Sequence, residues 1–347
     1  MTNRYVAKPA GSNWGEFGPD DQIGRLNYIT PAKVLEGIAE VKIGKTFCLS
    51  LPLNIPGSSD LSPARKPPKI RTYPVGRRQV PFMNFRMSRV TPGVHDISSD
   101  DMAIIYLQHS TQWDGLAHYG RTFDADRDGE AEIRYYNGFK GEEDVITIMN
   151  DDATGGPYHG GALKLGIEKF AESCVQGRAV MIDLEKHFGR QRRAIGYAEL
   201  EQIMQQDRIV VEKGDMVCVR TGLAQLLLEQ GMKPDATLLN SVCTGLNGAD
   251  PALLNWITQS GLAAIAADNV AVELWANDQK FEVYENSMSP LHSHCMFNLG
   301  IPLGELWYLT ELADWLNAHN RNRFLLTAPP LRLPGAVGSP LTPVATV

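Results

Sequence analysis

The segment Leu107-Gln108-His109-Ser110-Thr111-Gln112-Trp113-Asp114-Gly115-Leu116-Ala117-His118 gathers two glutamines, an aspartate and two histidines behind an apolar run. Amide, carboxylate and imidazole groups leaving the end of one strand together can ligate a metal ion or move protons. Asp114 and His118 stand four residues apart, a spacing that on a helical turn places both on one face. The same residue types also build hydrogen-bonded turns, so composition leaves both readings open.

A second cluster lies far downstream. Leu291-His292-Ser293-His294-Cys295 is followed by Gly300-Ile301-Pro302-Leu303-Gly304-Glu305, so a histidine and a carboxylate flank a glycine-proline turn. From a loop they could add ligands to the first cluster; a helix cap and a surface ion pair would use the same residues. Asp124-Ala125-Asp126-Arg127-Asp128-Gly129 opens like a calcium loop. The closing position that needs a bidentate glutamate is Tyr135, and Arg127 adds positive charge, so calcium binding is rejected in favour of an Asp/Gly turn. No nucleophile elbow, phosphate loop or dinucleotide fingerprint occurs, and the run Gly155 to Gly161 lacks a phosphate loop's lysine. His95, His109, His159, His187 and His319 have no evident partner and are expected to be structural.

These side chains must be positioned by an α/β framework, because helical segments alternate with short β-branched runs. Thr30-Pro31 and Asp250-Pro251 each place a cap residue before a first-turn proline; Val34, Leu35 and Ile38 follow the first, and Leu253, Leu254, Ile257 and a closing Gly261 the second. Strands are predicted at Met102–Leu107, Ala179–Leu184, Met216–Arg220, Leu262–Ala266 and Arg323–Thr327, the apolar ones buried on both faces. Leu61 to Val80 carries four prolines and six basic residues (Arg65, Lys66, Lys69, Arg71, Arg77, Arg78) without an acid. It reads as a solvated surface loop or as a lid over an anionic substrate. The tail from Pro329 holds five prolines and is expected to be extended. No internal repeat or interdomain linker is evident.

The chain has 347 residues, 43% apolar and 21% charged, which fits a soluble globular protein. Thirty-three basic against 40 acidic residues give a net charge of −7, which argues against nucleic acid or an anionic membrane and for a small-molecule substrate. Five dispersed cysteines form no C-x-x-C pair and are expected to be reduced and buried. With no signal-peptide pattern and no long apolar run, the cytoplasm is the expected location.

Together these residues resemble the cyclase family of metal-dependent hydrolases, which includes kynurenine formamidase, isatin hydrolase and trans-dienelactone hydrolase. The family's usual signature is H-x-G-T-H-x-D-x-x-x-H; here the frame from Gln108 to His118 keeps the threonine, aspartate and final histidine and replaces the first two histidines by glutamine. That Q-x-x-x-Q-x-D-x-x-x-H form is similar to trans-dienelactone hydrolase and a group of longer relatives. Asp20 to Asn27, Tyr136-Asn137-Gly138-Phe139, Val219 to Gly222, Ala267-Asp268-Asn269 and Pro330 to Gly335 match further landmarks, the last as a closing strand. The resemblance covers Asp20 to the C-terminus.

It implies a swivelling β/β/α fold, one domain over 1–347 with an N-terminal extension (about 1–40) and a basic proline-rich excursion (about 61–80), assembled as a homodimer or larger homo-oligomer. By position, Gln108, Gln112, Asp114, His292 and Glu305 take the places of ligands to a divalent metal, zinc or manganese, with His294 as a possible alternative ligand. His118 takes that of the general base or acid, and Asp268 and Asn269 lie at the substrate. Trp113 would pack on a substrate ring or in the core. Amide oxygens suit harder ions better than zinc. The implied reaction is hydrolysis of an acyl C–N or C–O bond in a small cyclic amide, lactone or aryl amide by metal-activated water. A metal-dependent lyase or dehydratase and a non-catalytic small-molecule binder are the alternatives, and an amidohydrolase barrel is the least favoured.

Overall fold

A computed structural model of the protein describes residues 4–59, 64–148, 160–274 and 286–347. His159, most of the glycine run before Gly161, and the first three residues of the Leu61–Val80 excursion lie outside the described residues.

A nine-stranded mixed sheet organises the chain. Its strands are β1 (Thr46–Cys48), β2 (Gln112–Asp114), β3 (Gln176–Asp183), β4 (Met216–Arg220), β5 (Ala264–Ala267), β6 (Leu303–Glu305), β7 (Arg323–Thr327), β8 (Gly338–Pro340) and β9 (Val344–Thr346). They lie in the order β1-β9-β7-β3-β4-β5-β6-β2-β8. The centre, β3 to β6, is parallel, and β2 runs antiparallel to both β6 and β8. Parallel neighbours need crossovers; the helices Tyr197–Gln206 and Pro251–Ser260 lie in those between β3 and β4 and between β4 and β5.

Alternation along the central strands divides the core into two layers. Ala179, Met181, Met216, Cys218, Ala264 and Ala266 join one cluster; Val180, Ile182, Val217, Val219, Ile265 and Ala267 join the other. A sheet covered on both faces needs apolar residues at odd and even positions alike, and these strands read as continuous apolar runs for that reason. The α/β class and four of the five predicted strands are observed within a few residues.

The fifth differs. Met102–Ile104 pairs with Lys69–Arg71 in a separate two-stranded ribbon and is exposed along its length. Its apolar run is one side of a peripheral hairpin, not an interior strand. The predicted helix starts are correct: Thr30 Oγ1 accepts from Lys33 N, and Asp250 accepts from Ala252 N with Gly261 closing the helix at φ +67°. The buried face of the helix Pro31–Ala39 is another matter. Gly37 lies against the β3 backbone, where a Cβ would fall 2.8 Å from Arg178 N, and Lys33 is buried on Asp215. That close approach turns Leu35 and Ile38 toward solvent. Of the cysteines, all free, Cys218, Cys243 and Cys295 are buried as expected, whereas Cys48 and Cys174 are exposed. The closing strand is not at Pro330 to Gly335, which contains no strand; the tail enters the sheet afterwards as β8 and β9.

The N-terminal stretch is tied to the main core. Trp14 is buried and donates from Nε1 to Phe297 O at 2.7 Å. Asn137, held at φ +57°, donates to the carbonyls of Gly18 and Pro19 and accepts from Gly15 N. These contacts fasten residues 14–19 to the turn Tyr136–Gly138 and to the helical stretch Ser293–Asn298.

Candidate metal centre

The β2–β6 pairing assembles the centre. Gln112 faces Glu305 in register and Asp114 faces Leu303, so Gln112, Asp114 and Glu305 share one side of the sheet. Alternation sends Trp113 to the other side. There it is 1% exposed, packs edge-on against Trp307 at 4.8 Å and donates to Ala328 O. Its neighbour across the strand is Gly304, where a Cβ would crowd Trp307 Nε1 at 2.7 Å. Of the two expectations for Trp113, the structure shows the core contact.

His292 approaches from the turn Pro290–His292, at the head of a widened helical stretch, Ser293–Asn298, with π-type hydrogen bonding. Ligating atoms of Asp114, His292 and Glu305 lie within 4.8 Å of one another, and all three residues are buried. His292 Nε2 is 3.5 Å from Glu305 Oε1. Gln112 Nε2 spans the two carboxylates, 3.3 Å from Asp114 Oδ1 and 3.0 Å from Glu305 Oε2.

The fit to a metal ion rests on the atoms left over. Asp114 Oδ2 and Gln112 Oε1 are buried without a hydrogen-bond partner among the described residues. A buried carboxylate oxygen in that state is costly unless a cation or donor meets it. Two carboxylates, one imidazole and a turned amide supply the hard and borderline donors of a divalent cation site. Gln108 is close by. Its Nε2 is also buried without a described partner, and it occupies the space a Cβ on Gly338 would need, at 2.5 Å; Gly338 is the residue paired with Asp114.

Electrostatics agree. Burial pushes the Asp114 carboxyl up, against the pull of His118, while Glu305 is held low despite burial by its contacts with His292 and Arg65. Burial would depress His292, but hydrogen bonds to Glu273 and Glu305 outweigh it and raise its pKa to about 10. A field that holds a proton on a buried imidazole also favours a cation.

Two residues at the centre were not assigned from the sequence. Glu273 accepts from His292 Nδ1 at 2.7 Å and from the backbone N–H groups of Leu291 and His292. A lone glutamate carries no sequence signal for this role. It is delivered by a turn with Ala271 at φ +70° and Val272 at φ +59°, costly backbone for a β-branched residue. Arg65, from the basic excursion, reaches Glu305 Oε2 at 3.4 Å. Excess basic charge was the visible signal, but it did not single out Arg65.

His118 Nε2 stands 3.8 Å from Asp114 Oδ1 and is partly exposed, at the open side of the cluster. Asp268 is fully buried and accepts from Thr221 N and Oγ1 and from Gly222 N, in the turn that leads into the helix Leu223–Gln230. Asn269 follows it, its carbonyl accepting from Leu306 N. His294 faces away, bonded to Thr258 Oγ1 at 2.8 Å, and is not part of the cluster. His109 is buried on Pro56 O, and His187 is paired with Asp207. The carboxylates of Asp124, Asp126 and Asp128 also converge, with Asp126 paired to Arg134 and Asp124 accepting from Gly129 N, as in an Asp/Gly turn.

Residues 49–274 match the Cyclase family model. A crystal structure described as a novel cyclase is 31% identical and superposes with a TM-score of 0.74 over 97% of this chain and 99% of that one. Isatin hydrolase A from Labrenzia aggregata, bound to benzyl benzoate, is 13% identical with a TM-score of 0.53, over 90% of this chain and 97% of that one. Isatin hydrolase A from Ralstonia solanacearum is 14% identical with a TM-score of 0.51, over 91% and 97%. At those identities the two hydrolases share the fold. No curated protein matches the chain.

Proposed function

The chain belongs to the cyclase family, with its metal-dependent hydrolase fold and a site for the metal of a metal-using enzyme, and from that premise we propose that it hydrolyses an acyl C–N or C–O bond in a small cyclic amide, lactone or aryl amide. The observation that carries the reading is the buried convergence of Asp114, His292 and Glu305 beside the partly exposed His118. Isatin hydrolases sharing the fold support a small cyclic substrate.

Asp114, His292 and Glu305 hold the metal in this reading, with Gln112 and Gln108 alongside; an oxygen-rich donor set favours manganese over zinc. The ion supplies Lewis acidity, the chemistry that polarises a carbonyl and makes water nucleophilic near neutral pH. Glu273 fixes the His292 tautomer, leaving Nε2 directed at the carboxylates. Gln112 keeps Asp114 and Glu305 at a set separation against their mutual repulsion. His118, whose Nε2 stands 3.8 Å from Asp114 Oδ1, takes a proton from the attacking water and returns it to the departing nitrogen or oxygen. Arg65, paired with Glu305, offers positive charge to an anionic group on the substrate. The reading includes a cytoplasmic homodimer or larger homo-oligomer, which light scattering of the purified protein tests.

The deciding experiment is metal analysis of the purified protein with a hydrolysis screen of lactones, cyclic amides and aryl formamides, with and without chelator. Chelator-sensitive turnover restored by manganese is expected; activity indifferent to both refutes the assignment. Reaction in oxygen-18 water separates hydrolysis, which incorporates the label into product, from a lyase, which does not.

A further inference from the structure

A cavity of about 450 Å³ opens at the carboxyl end of β3 and shares no residue with the metal centre. Sheet register makes the opening. β7 leaves β3 after the pair Val180–Arg323 and one further bond, Met181 N to Asn322 O, whereas β4 stays paired with β3 as far as Asp183. The end of β3 is therefore uncovered on one edge, and the helices Tyr197–Gln206 and Thr310–Ala318 both finish at the gap. Crevices at the carboxyl ends of parallel strands are where open α/β sheets hold ligands.

A cation is left free in the wall. Each helix closes on a left-handed residue that lines the cavity, Asn320 at φ +52° and Arg208 at φ +55°. Glycine and asparagine suit that position, and a long side chain there carries a backbone cost. The Arg208 guanidinium is exposed and has no hydrogen-bond or ion-pair partner among the described residues. The acids of the wall are already engaged. Asp183, 3% exposed, accepts from Lys186 N, Arg220 Nη1 and Asn317 Nδ2; Asp207 holds Lys186 Nζ and His187 Nε2; Glu40 holds Arg321. Four basic and three acidic side chains line the cavity, so a positive excess and a planar fork of donors face an incoming anion. In the same wall the amides of Gln206 and Asn320 are exposed and without partners among the described residues. An amide offers donors and an acceptor together, which matches the dual character of a hydroxyl group.

We propose that this cavity binds a hydroxylated monocarboxylate, a sugar acid, with the carboxylate on the Arg208 guanidinium and ring hydroxyls on Gln206, Asn317 and Asn320. The volume is that of a small-molecule site and exceeds what an inorganic ion fills. Both helices turn their carbonyl ends toward the gap, and that negative dipole counts against a doubly charged phosphate and for a single charge. Met181 and Ile209 supply a small apolar floor for the face of a ring. Such a site stands whether or not the metal centre hydrolyses a cyclic substrate.

The test titrates the full-length protein with D-glucuronate, D-glucose and inorganic phosphate, with binding followed by ligand-observed NMR. Glucuronate and glucose share the hydroxylated ring and differ at the carboxylate, so glucuronate is expected to bind about 10- to 100-fold more tightly, the usual consequence of a charge-assisted hydrogen bond. Phosphate is expected to bind more weakly than glucuronate. Arg208→Gln is expected to weaken glucuronate binding about tenfold. Arg208→Gly, which suits φ +55°, is expected to lose the binding and keep the melting temperature, a separation that a purely structural arginine would not give. No saturable binding of glucuronate, equal affinity for glucose, or an unaffected Arg208→Gln variant overturns the site. Phosphate binding as tight as that of glucuronate overturns the sugar-acid assignment. Glucuronate binding lost in Asp114→Ala but kept in Arg208→Gln places the ligand at the metal centre and overturns the site as well.

Discussion

Glu273 Oε1 lies 2.7 Å from His292 Nδ1, and the opposite ring nitrogen of His292 is 3.5 Å from Glu305 Oε1, so one buried imidazole is held between two carboxylates. Only one of the two also binds the backbone N–H groups of residues 291 and 292. Glu273 is therefore fixed before any ion arrives, and it aims the ring. Glu273→Gln is expected to weaken manganese affinity about 10- to 100-fold, measured by chelator competition, with the far-ultraviolet circular dichroism unchanged. Unaltered affinity would remove Glu273 from the centre's support.

His118 and Asp114 are neighbours with different duties. His118→Ala is expected to lower kcat about 10²- to 10⁴-fold while metal content stays near that of the parent protein. Asp114→Ala is expected to lose metal and activity together. Full metal stoichiometry in the aspartate variant would refute its assignment as a ligand.

Arg65 gives the basic excursion a specific point of contact with the centre. For Arg65→Gln, kcat/KM should fall more for a carboxylate-bearing substrate than for a neutral one of the same ring. The salt dependence of the charged substrate should shrink with it. Parallel losses for both substrates would indicate that Arg65 serves only to hold Glu305.

Asp268 provides the pH prediction. Burial raises its pKa to about 7, against the lowering effect of donors from Thr221 and Gly222. The folded value lies above the ordinary 3.8, so the folded state binds a proton more tightly than the unfolded chain. This contribution to stability is complete below about pH 4 and is lost as pH rises through about 7. Relative to Asp268→Asn, which cannot ionise, the parent protein should lose a few kcal/mol of stability between those limits in denaturant titrations. A difference that stays constant with pH would show that the three donors keep Asp268 ionised throughout.

What could be read from the sequence is what depends on neighbours along the chain. The caps at Thr30 and Asp250 show in residue type because a side-chain oxygen reaches N–H groups two or three residues ahead. The strand Met216–Arg220 shows because a strand buried along its length must be nearly all apolar, and Arg323–Thr327 because its middle is a short apolar run, Phe324 to Leu326. The spacing from Gln108 to His118 pointed to a site by type and resemblance. It could not tell that Gln112 and Asp114 face the cluster while Trp113 faces the core; that follows from the β2–β6 register. Likewise, the exposed Leu35 and Ile38 follow the helical spacing, but the face to be buried was chosen by the backbone contact at Gly37.

The sequence by itself determined the α/β class, the helix starts and the residue types available for metal and proton chemistry. Tertiary structure alone decided which of them meet. Asp114 and Glu305 are brought together by antiparallel pairing of strands from distant parts of the chain, and His292 by a turn whose orientation Glu273 fixes. His294, equally plausible by type, is carried away to Thr258 by the winding of the helical stretch it occupies. Ligand geometry depends on distances of a few ångströms between segments that are remote in sequence, and those distances are set by sheet register and close packing, which no local spacing encodes.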